Sequence, residues 1–587
     1  MIHVFSLNEI TLARFLILAL LRRRLFIIKV RPFVPYTRKL LQAVARWARS
    51  SRRAHSVVKL LPEMKPYNFY LRRLYFREAF KKYEPWQNRR FEFDAAENED
   101  PDYGYGYKQI TCSYVFFQNA FEAFVLDALN RAFPKGGYAV KGLHADTLAL
   151  YKVYFGEKAP PSVSPMRFPN RLVNALLAVM AATYSIAWTG CRLRLSVPRE
   201  NVFLAVDDMN MPCETPLFKR LSRYGTVLTV SRNAYFHGRR LSDRENYTSC
   251  IQTDGILGPD AWLGALWTIV RDTLFLWRRY GRRTTPHFFQ IITMPHKRVV
   301  TRSLLNRFRP KYYWARDDYN TEHILRRQEL RKTGGKSIGV SHAIYANWCS
   351  IAPNIRYISY DIYYVISDVY TSYYLDTWKQ DMVVKSIGSM EITPEMLNPI
   401  ARRNDDILVC IRVAWFETEM VRMVRRLAET FPQKKVYLQL KGAYFNDDEH
   451  DKFVAIILKD LPNIDYSTDP VFELLQRVRY HFSDISTIIQ EGISLGANSF
   501  LADVIDMEWT VLRSYPGLCV KTGEEAVARI EAIESGRWTY PRKDYLARMQ
   551  VPEGRSALDI VCDDFAAFED GQSTPHVLDP VAEGAVT

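Results

Sequence analysis

The chain opens on an alternation of short apolar runs and helical spacing. Ile2–Leu7 and Leu25–Val30 have strand length, and a 3.6-residue period marks one helix from Asn8 to about Arg24 and another over Pro35–Ser50. Strand–helix–strand–helix with short links predicts a parallel sheet. The rhythm lapses over residues 51–195, which are aromatic and mostly helical in pattern. Phe116–Arg131 and Leu172–Trp188 read there as buried helices and Glu97–Tyr107 as a polar loop. Alternation resumes with strands at Val202–Val206, Thr226–Val230, Phe288–Ile292 and Tyr312–Ala315. A helix over Thr321–Lys332 follows, then strands at Ser337–Ser341, Tyr363–Ser367 and Val383–Ser386.

Pro394, Pro399 and a polar run interrupt the pattern, so residues 394–404 read as a connector. A second block follows: strand Ile407–Ile411, helix Glu417–Thr430, strand Lys435–Leu440, helix Asp447–Leu461, strand Ile464–Tyr466, helix Val471–Gln476 and strand Tyr480–Phe482. Val520–Glu534 supplies a later strand and helix. Beyond Asp564 the residues turn small, polar and acidic, which predicts a flexible tail. The expected fold is α/β, with two Rossmann-type domains facing a cleft. Residues 1–393 form the first domain, with a helical insertion at about 51–195; residues 405–564 form the second, and 565–587 the tail. In open parallel sheets ligands bind at the carboxyl ends of the strands, so the cleft is where chemistry is expected.

A length of 587 residues with 48% apolar content suits two large domains. Eight cysteines show no C-x-x-C pair and no zinc spacing, and read as reduced thiols of a cytosolic protein. The charge is uneven. Of a net +16, residues 1–60 carry +12, from 13 Lys/Arg against Glu9 alone. With Trp47 and aliphatic neighbours, that basic segment suits an anionic membrane surface. No nucleic-acid-binding motif is present, and no nucleic-acid partner is expected. Leu12–Leu21 is interrupted by Arg14 and falls short of the roughly 20 residues a bilayer span needs. The cluster Arg22-Arg23-Arg24 follows that run rather than preceding it, against the order of a signal peptide. The expectation is a cytoplasmic chain, peripheral at the inner face of the membrane, without a transmembrane helix.

Candidate chemistry gathers at predicted strand ends. His481 to Gly496 reads as a strand end, a polar turn and the start of a helix. Asp484, Ser486 and Thr487 stand at the turn and Glu491 one helical turn further on. Helix-start amides and hydroxyls suit a phosphate, and a carboxylate one turn in suits ribose hydroxyls; the same residues also make an ordinary N-cap. Asp317 and Asp318 follow one strand and could equally cap the helix at Thr321. His342 ends Ser337–Ser341, Arg412 ends Ile407–Ile411 and Lys441 ends Lys435–Leu440. A His or Asp can take an acceptor proton, while Arg and Lys offset phosphate charge. Asp207-Asp208 could suggest a metal pair, but Asp-Asp at a strand end is common and no metal is expected. His237 and His296 lie in stretches that read as basic loops.

Three stretches carry a family resemblance: Ser337–His342, then Asp361–Ser367 with Val384–Ser389, then Asp484–Gly496. In order and spacing they resemble the GT-B-fold transferases of bacterial surface (capsule and lipopolysaccharide) polysaccharide synthesis. The nearest group is the capsule-polysaccharide and CDP-glycerol glycerophosphotransferase-like proteins. The resemblance covers about residues 310–540. It departs at Ala343, where the group has Gly, and at Lys441-Gly442-Ala443, which lacks the group's following His.

The resemblance implies a metal-independent glycosyltransferase that moves a sugar from a nucleotide-activated donor to a polysaccharide or lipid-linked acceptor. His342, Asp317 or Asp318 would act on the acceptor hydroxyl. Arg412, Lys441, Asp484, Ser486, Thr487 and Glu491 would hold the donor. No cofactor beyond the nucleotide-sugar substrate is implied. A glycerol- or ribitol-phosphate transferase would use the same sites. A non-catalytic membrane- or RNA-binding protein with a basic N-terminus is the alternative outside enzymes.

Overall fold

A computed structural model describes residues 2–21, 25–30, 38–56, 60–61, 85–156, 170–207, 212–231, 247–316, 320–341, 357–367, 378, 381–398, 403–411, 417–440, 454–455, 457, 459–484, 486–504 and 511–572. Among these residues the strands form three sheets, and each strand runs parallel to its neighbours. The first sheet holds β1 (Ile2–Leu7), β2 (Leu25–Val30), β3 (Ala54–Ser56) and β4 (Tyr138–Lys141), in the order β3-β2-β1-β4.

The second sheet holds β5 (Glu200–Asp207), β6 (Val227–Ser231), β7 (Tyr247–Ile251), β8 (Phe308–Ala315), β9 (Lys336–Val340), β10 (Ile362–Val365) and β11 (Val383–Ser386). Their order is β11-β10-β9-β8-β5-β6-β7. The third holds β12 (Asn404–Ile411), β13 (Val436–Leu440), β14 (Ile464–Tyr466), β15 (Val478–Ser483), β16 (Asn498–Ala502) and β17 (Cys519–Val520), ordered β14-β13-β12-β15-β16-β17. The second and third sheets make the two expected Rossmann-like domains. Their central strands are continuous apolar runs, such as buried Leu204–Val206 and Ile407–Ile411, because helices cover both faces of a parallel sheet.

The first 56 residues depart from expectation. Their strands do not join the seven-stranded sheet but form a separate one, completed by β4 from within the span read as a helical insertion. Four residues are too few to declare a period, which hid β4. Asn8 starts the first helix, Glu9–Leu20, with a capping box: its side chain accepts from Thr11 N (3.0 Å) and Thr11 Oγ1 accepts from Asn8 N (3.0 Å). Helix Gly104–Tyr114, within the span read as an insertion, docks firmly. Tyr107 stacks on Tyr280 with ring centroids 4.1 Å apart, and the Tyr105 hydroxyl donates to Ile358 O at 2.9 Å. One apolar cluster runs from Val4 and Tyr107 to Phe288, Ile324 and Tyr357.

Four further differences concern single segments. Phe288–Ile292 is not a strand but part of helix Thr285–Ile292, with Pro286 in its first turn; a five-residue apolar run does not separate the two. His296 lies not in a loop but on helix Met294–Arg307, against Tyr184 and Trp188. Burial, then Lys297, holds its imidazole down to about 4. The helix expected at Leu172–Trp188 spans Asn170–Gly190 and buries only one face: Leu172, Leu176, Val179 and Met180 are exposed. By length and composition alone it is long and apolar enough to cross a membrane.

The fourth is the expected tail. Helix Ala557–Glu569 returns to the seven-stranded sheet, where Val561, Phe565 and Phe568 pack with Leu204, Tyr312 and Tyr364. Asp564 accepts from the Tyr364 hydroxyl (3.0 Å) and from Lys385 Nζ (2.6 Å). Residues 573–587 lie outside the described residues, as does most of the helix expected at Asp447–Leu461.

Candidate functional site

A cavity of about 580 Å³ lies where the carboxyl ends of the second and third sheets meet. Arg316, Ser341, Ile366 and Gly388 bring the ends of β8, β9, β10 and β11 to it. Ile411, Leu440 and Ser483 bring the ends of β12, β13 and β15. Parallel pairing alone puts these ends side by side, so the position follows from topology.

Of the expected donor residues, Ser486, Thr487 and Glu491 line this cavity. The helix after the turn, Ile488–Ser494, is short, and Ser486 Oγ accepts from Ile488 N at 3.4 Å. Gly492 lets that helix lie close on the sheet: a Cβ there would stand 2.1 Å from Ser499 Oγ. Glu491 is buried, and its Oε1 accepts from Ser389 Oγ of the other domain at 2.5 Å. Gly388 makes this contact reachable by turning the chain at φ +80° straight after β11. Asp484 is fully buried and does not line the cavity. Burial, then the Asp484 carboxylate, pushes the Cys410 thiol up, so this wall residue stays protonated.

His342, Asp317, Asp318, Arg412 and Lys441 lie outside the described residues. Four of them directly follow a cavity-lining residue in the chain: Asp317 follows Arg316, His342 follows Ser341, Arg412 follows Ile411 and Lys441 follows Leu440. Asp207 is buried and accepts from Arg326 Nη2 at 3.3 Å, an ion pair within the domain; Asp208 and His237 are outside the described residues.

Arg316 is a wall residue that sequence reasoning missed. It is 7% exposed and sits 3.5 Å from buried Glu214 through Nη1. Its Nη2 donates to Ser341 O at 3.4 Å, while Nε and Nη1 have no hydrogen-bond acceptor. Ser483 Oγ, on the opposite wall, is likewise buried without a partner. Buried donors are normally satisfied, so these atoms suit a polar, anionic occupant. Its place directly after β8 was visible in the chain, but an arginine there reads as surface charge.

The fold is that of an α/β protein with a cavity between its two larger parallel sheets. No family model matches the sequence, and no curated protein matches it. Solved structures with similar folds include the UDP-GlcNAc 2-epimerase from Neisseria meningitidis (TM-score 0.34, 12% identity, 62% of this chain and 99% of that one). The wall teichoic acid polymerase TagF matches with a TM-score of 0.39 and 9% identity, over 69% of this chain and 100% of that one. MurG of Acinetobacter baumannii matches with a TM-score of 0.36 and 8% identity, over 63% and 99%.

Proposed function

We propose that this chain is a glycosyltransferase that takes a sugar from a nucleotide-activated donor and passes it to a polysaccharide or lipid-linked acceptor. The observation that carries the reading is the cavity walled by strand ends of both domains, with Arg316 and Ser483 offering unsatisfied buried donors. On this reading the six-stranded domain holds the donor: Glu491 takes the ribose hydroxyls, and Ser486 and Thr487 the phosphates, aided by Arg412 and Lys441. The seven-stranded domain presents the acceptor. His342, or one of Asp317 and Asp318, removes the acceptor hydroxyl proton as the acceptor oxygen bonds the sugar carbon. The bond from that carbon to the phosphate oxygen breaks, and the nucleotide leaves with the electron pair.

The reading extends to a cytoplasmic chain held at an anionic membrane through residues 1–60. It is supported by helix Arg38–Ser50, which buries Leu41, Ala45 and Ala48 and exposes Arg38, Lys39, Arg46 and Arg49 beside Trp47. The experiment is a thermal-shift screen against CMP, CDP, UDP and GDP and their sugars, followed by a transfer assay with any hit. A true ligand at ~100 times its dissociation constant adds about 2.7 kcal/mol. No stabilisation by any nucleotide would refute the proposal, and transfer of a polyol phosphate from CDP-glycerol or CDP-ribitol would redirect it.

A further inference from the structure

Helices Asn170–Gly190 and Pro259–Tyr280 pack side by side on helices Thr285–Ile292 and Met294–Arg307. They run antiparallel. Asn174 Nδ2, near the start of the first, donates to Gly281 O (2.9 Å) and Arg283 O (2.8 Å), just past the end of the second. Trp262 Nε1, near the start of the second, donates to Thr189 O (3.0 Å) at the end of the first. Leu193 and Leu257 form an isolated bridge at that same end.

Each helix buries one face and opens the other. On the first, Asn174, Leu177, Ala178, Ser185 and Thr189 are buried, while Leu172, Leu176, Val179 and Met180 are 58–65% exposed. On the second, Ala265, Ile269 and Leu276 are buried, while Leu263, Trp267, Val270 and Leu274 are 41–63% exposed. The exposed positions recur at intervals of three or four, so each helix carries an unbroken apolar stripe. At 1.5 Å per residue the exposed positions named span roughly 12 Å on the first helix and roughly 17 Å on the second. Water-facing surfaces rarely keep so large an apolar patch without a use.

The charge around it is mainly positive, with Asp260 and Glu200 exposed at one end. Arg171, Arg278 and Arg282 are exposed at one end of the pair, and Arg194 and Arg199 at the other. Arg192 stacks over Trp188 at 4.8 Å, and Leu195, between the arginines, is 91% exposed. The acidic residues on the two helices are Asp260 and Asp272, and Asp272 is buried against the Tyr103 hydroxyl and Arg271.

We propose that this two-helix face seats the protein in the plane of an anionic phospholipid bilayer. The apolar stripes enter the boundary between headgroups and acyl chains, and the arginines at both ends reach lipid phosphates. The first helix lies in the surface rather than crossing it. A crossing helix would turn Asn174, Ser185 and Thr189 toward hydrocarbon and break the hydrogen bonds that fix both of its ends. The face is separate from residues 1–60, and the inference does not rest on the transferase reading.

The test is co-sedimentation of the full chain with vesicles of phosphatidylcholine, with and without phosphatidylglycerol. Leu176→Glu with Trp267→Glu changes only exposed side chains, and an unchanged melting curve confirms the fold. Binding to the phosphatidylglycerol vesicles should fall at least about tenfold in this variant, in which residues 1–60 are unchanged. Part of the wild type should stay bound at about 1 M salt, where charge attraction is screened. A smaller loss in the double variant, or complete release of the wild type by salt, overturns the proposal. So does a vesicle-free wild-type dimer, seen by light scattering, that the double variant dissolves, because the face would then be a protein interface.

Discussion

Glu491 holds one hydroxyl across the cleft and, on the proposed reading, gives up that partner for a ribose. Two substitutions separate these jobs. Glu491→Ala removes a buried carboxylate that bonds Ser389 Oγ at 2.5 Å. Hydrogen bonds to a charged group are worth about 1.5–3 kcal/mol each, and the displaced serine bond offsets part of two of them. The net loss in nucleotide binding is about 1–3 kcal/mol, or roughly 5- to 150-fold in Kd. Ser389→Ala removes the Ser389–Glu491 bond and keeps the carboxylate. It should cost about 1 kcal/mol of stability and leave nucleotide affinity within about threefold of wild type. Isothermal titration with the best nucleotide of the screen measures both. Equal losses in the two variants would make Glu491 a domain latch, and an unchanged Kd in Glu491→Ala would remove it from the site.

Three further expectations follow from single residues. Arg316→Lys keeps a cation beside Glu214 but loses the planar fork, so nucleotide affinity should fall by about tenfold while the melting temperature holds; an unchanged Kd would take Arg316 out of ligand binding. Burial holds the His481 imidazole down to about 3 against an ordinary 6.5, so the unfolded chain takes up a proton that the folded chain refuses. Its contribution to stability is complete above pH 6.5 and drains away as pH falls toward 3. Urea unfolding should show this as a slope of about 1.4 kcal/mol per pH unit that His481→Gln removes. Phe565→Ala, at a fully buried ring on the returning C-terminal helix, should destabilise the seven-stranded domain by about 3–5 kcal/mol in the same assay; a loss near zero would mean that the helix is not part of that core.

What was legible in the chain follows from what each feature needs. β9, β10 and most of β12 are buried on both faces, so they stand out as apolar runs between amphipathic helices. Ser486, Thr487 and Glu491 were legible because a strand, a polar turn and a helix start sit within a dozen residues. Arg316 was not, because an arginine after a strand reads as surface charge until Glu214 closes on it from another segment. The returning C-terminal helix was hidden by its acidic residues. Asp559 pairs with Arg220, Asp564 with Lys385 and Glu569 with Lys311, so charges that read as solvated belong to the docking face. Helix Asn170–Gly190 failed for the opposite reason. Its apolar residues nearly encircle it, and composition cannot say whether a core or something outside the chain covers them.

The two Rossmann-like domains are not hung on a loose connector. Tyr363, Trp378 and Met382 share one apolar cluster with Ile489, Ile493, Leu512 and Tyr545 from beyond the connector. Gln490 Nε2 donates to Ile366 O at 3.0 Å, and Ser367 Oγ donates to Met549 O at 2.8 Å. A large apolar interface resists the hinge motion that a polar one permits. Ser389 and Glu491 form their bond at the cavity wall itself, where a ligand would compete for it. On the proposed reading, a ligand that engages Glu491 releases Ser389, three residues past β11 in the seven-stranded domain. On that reading, occupancy of one domain would be felt in the other through the Ser389–Glu491 bond, without the domains having to part.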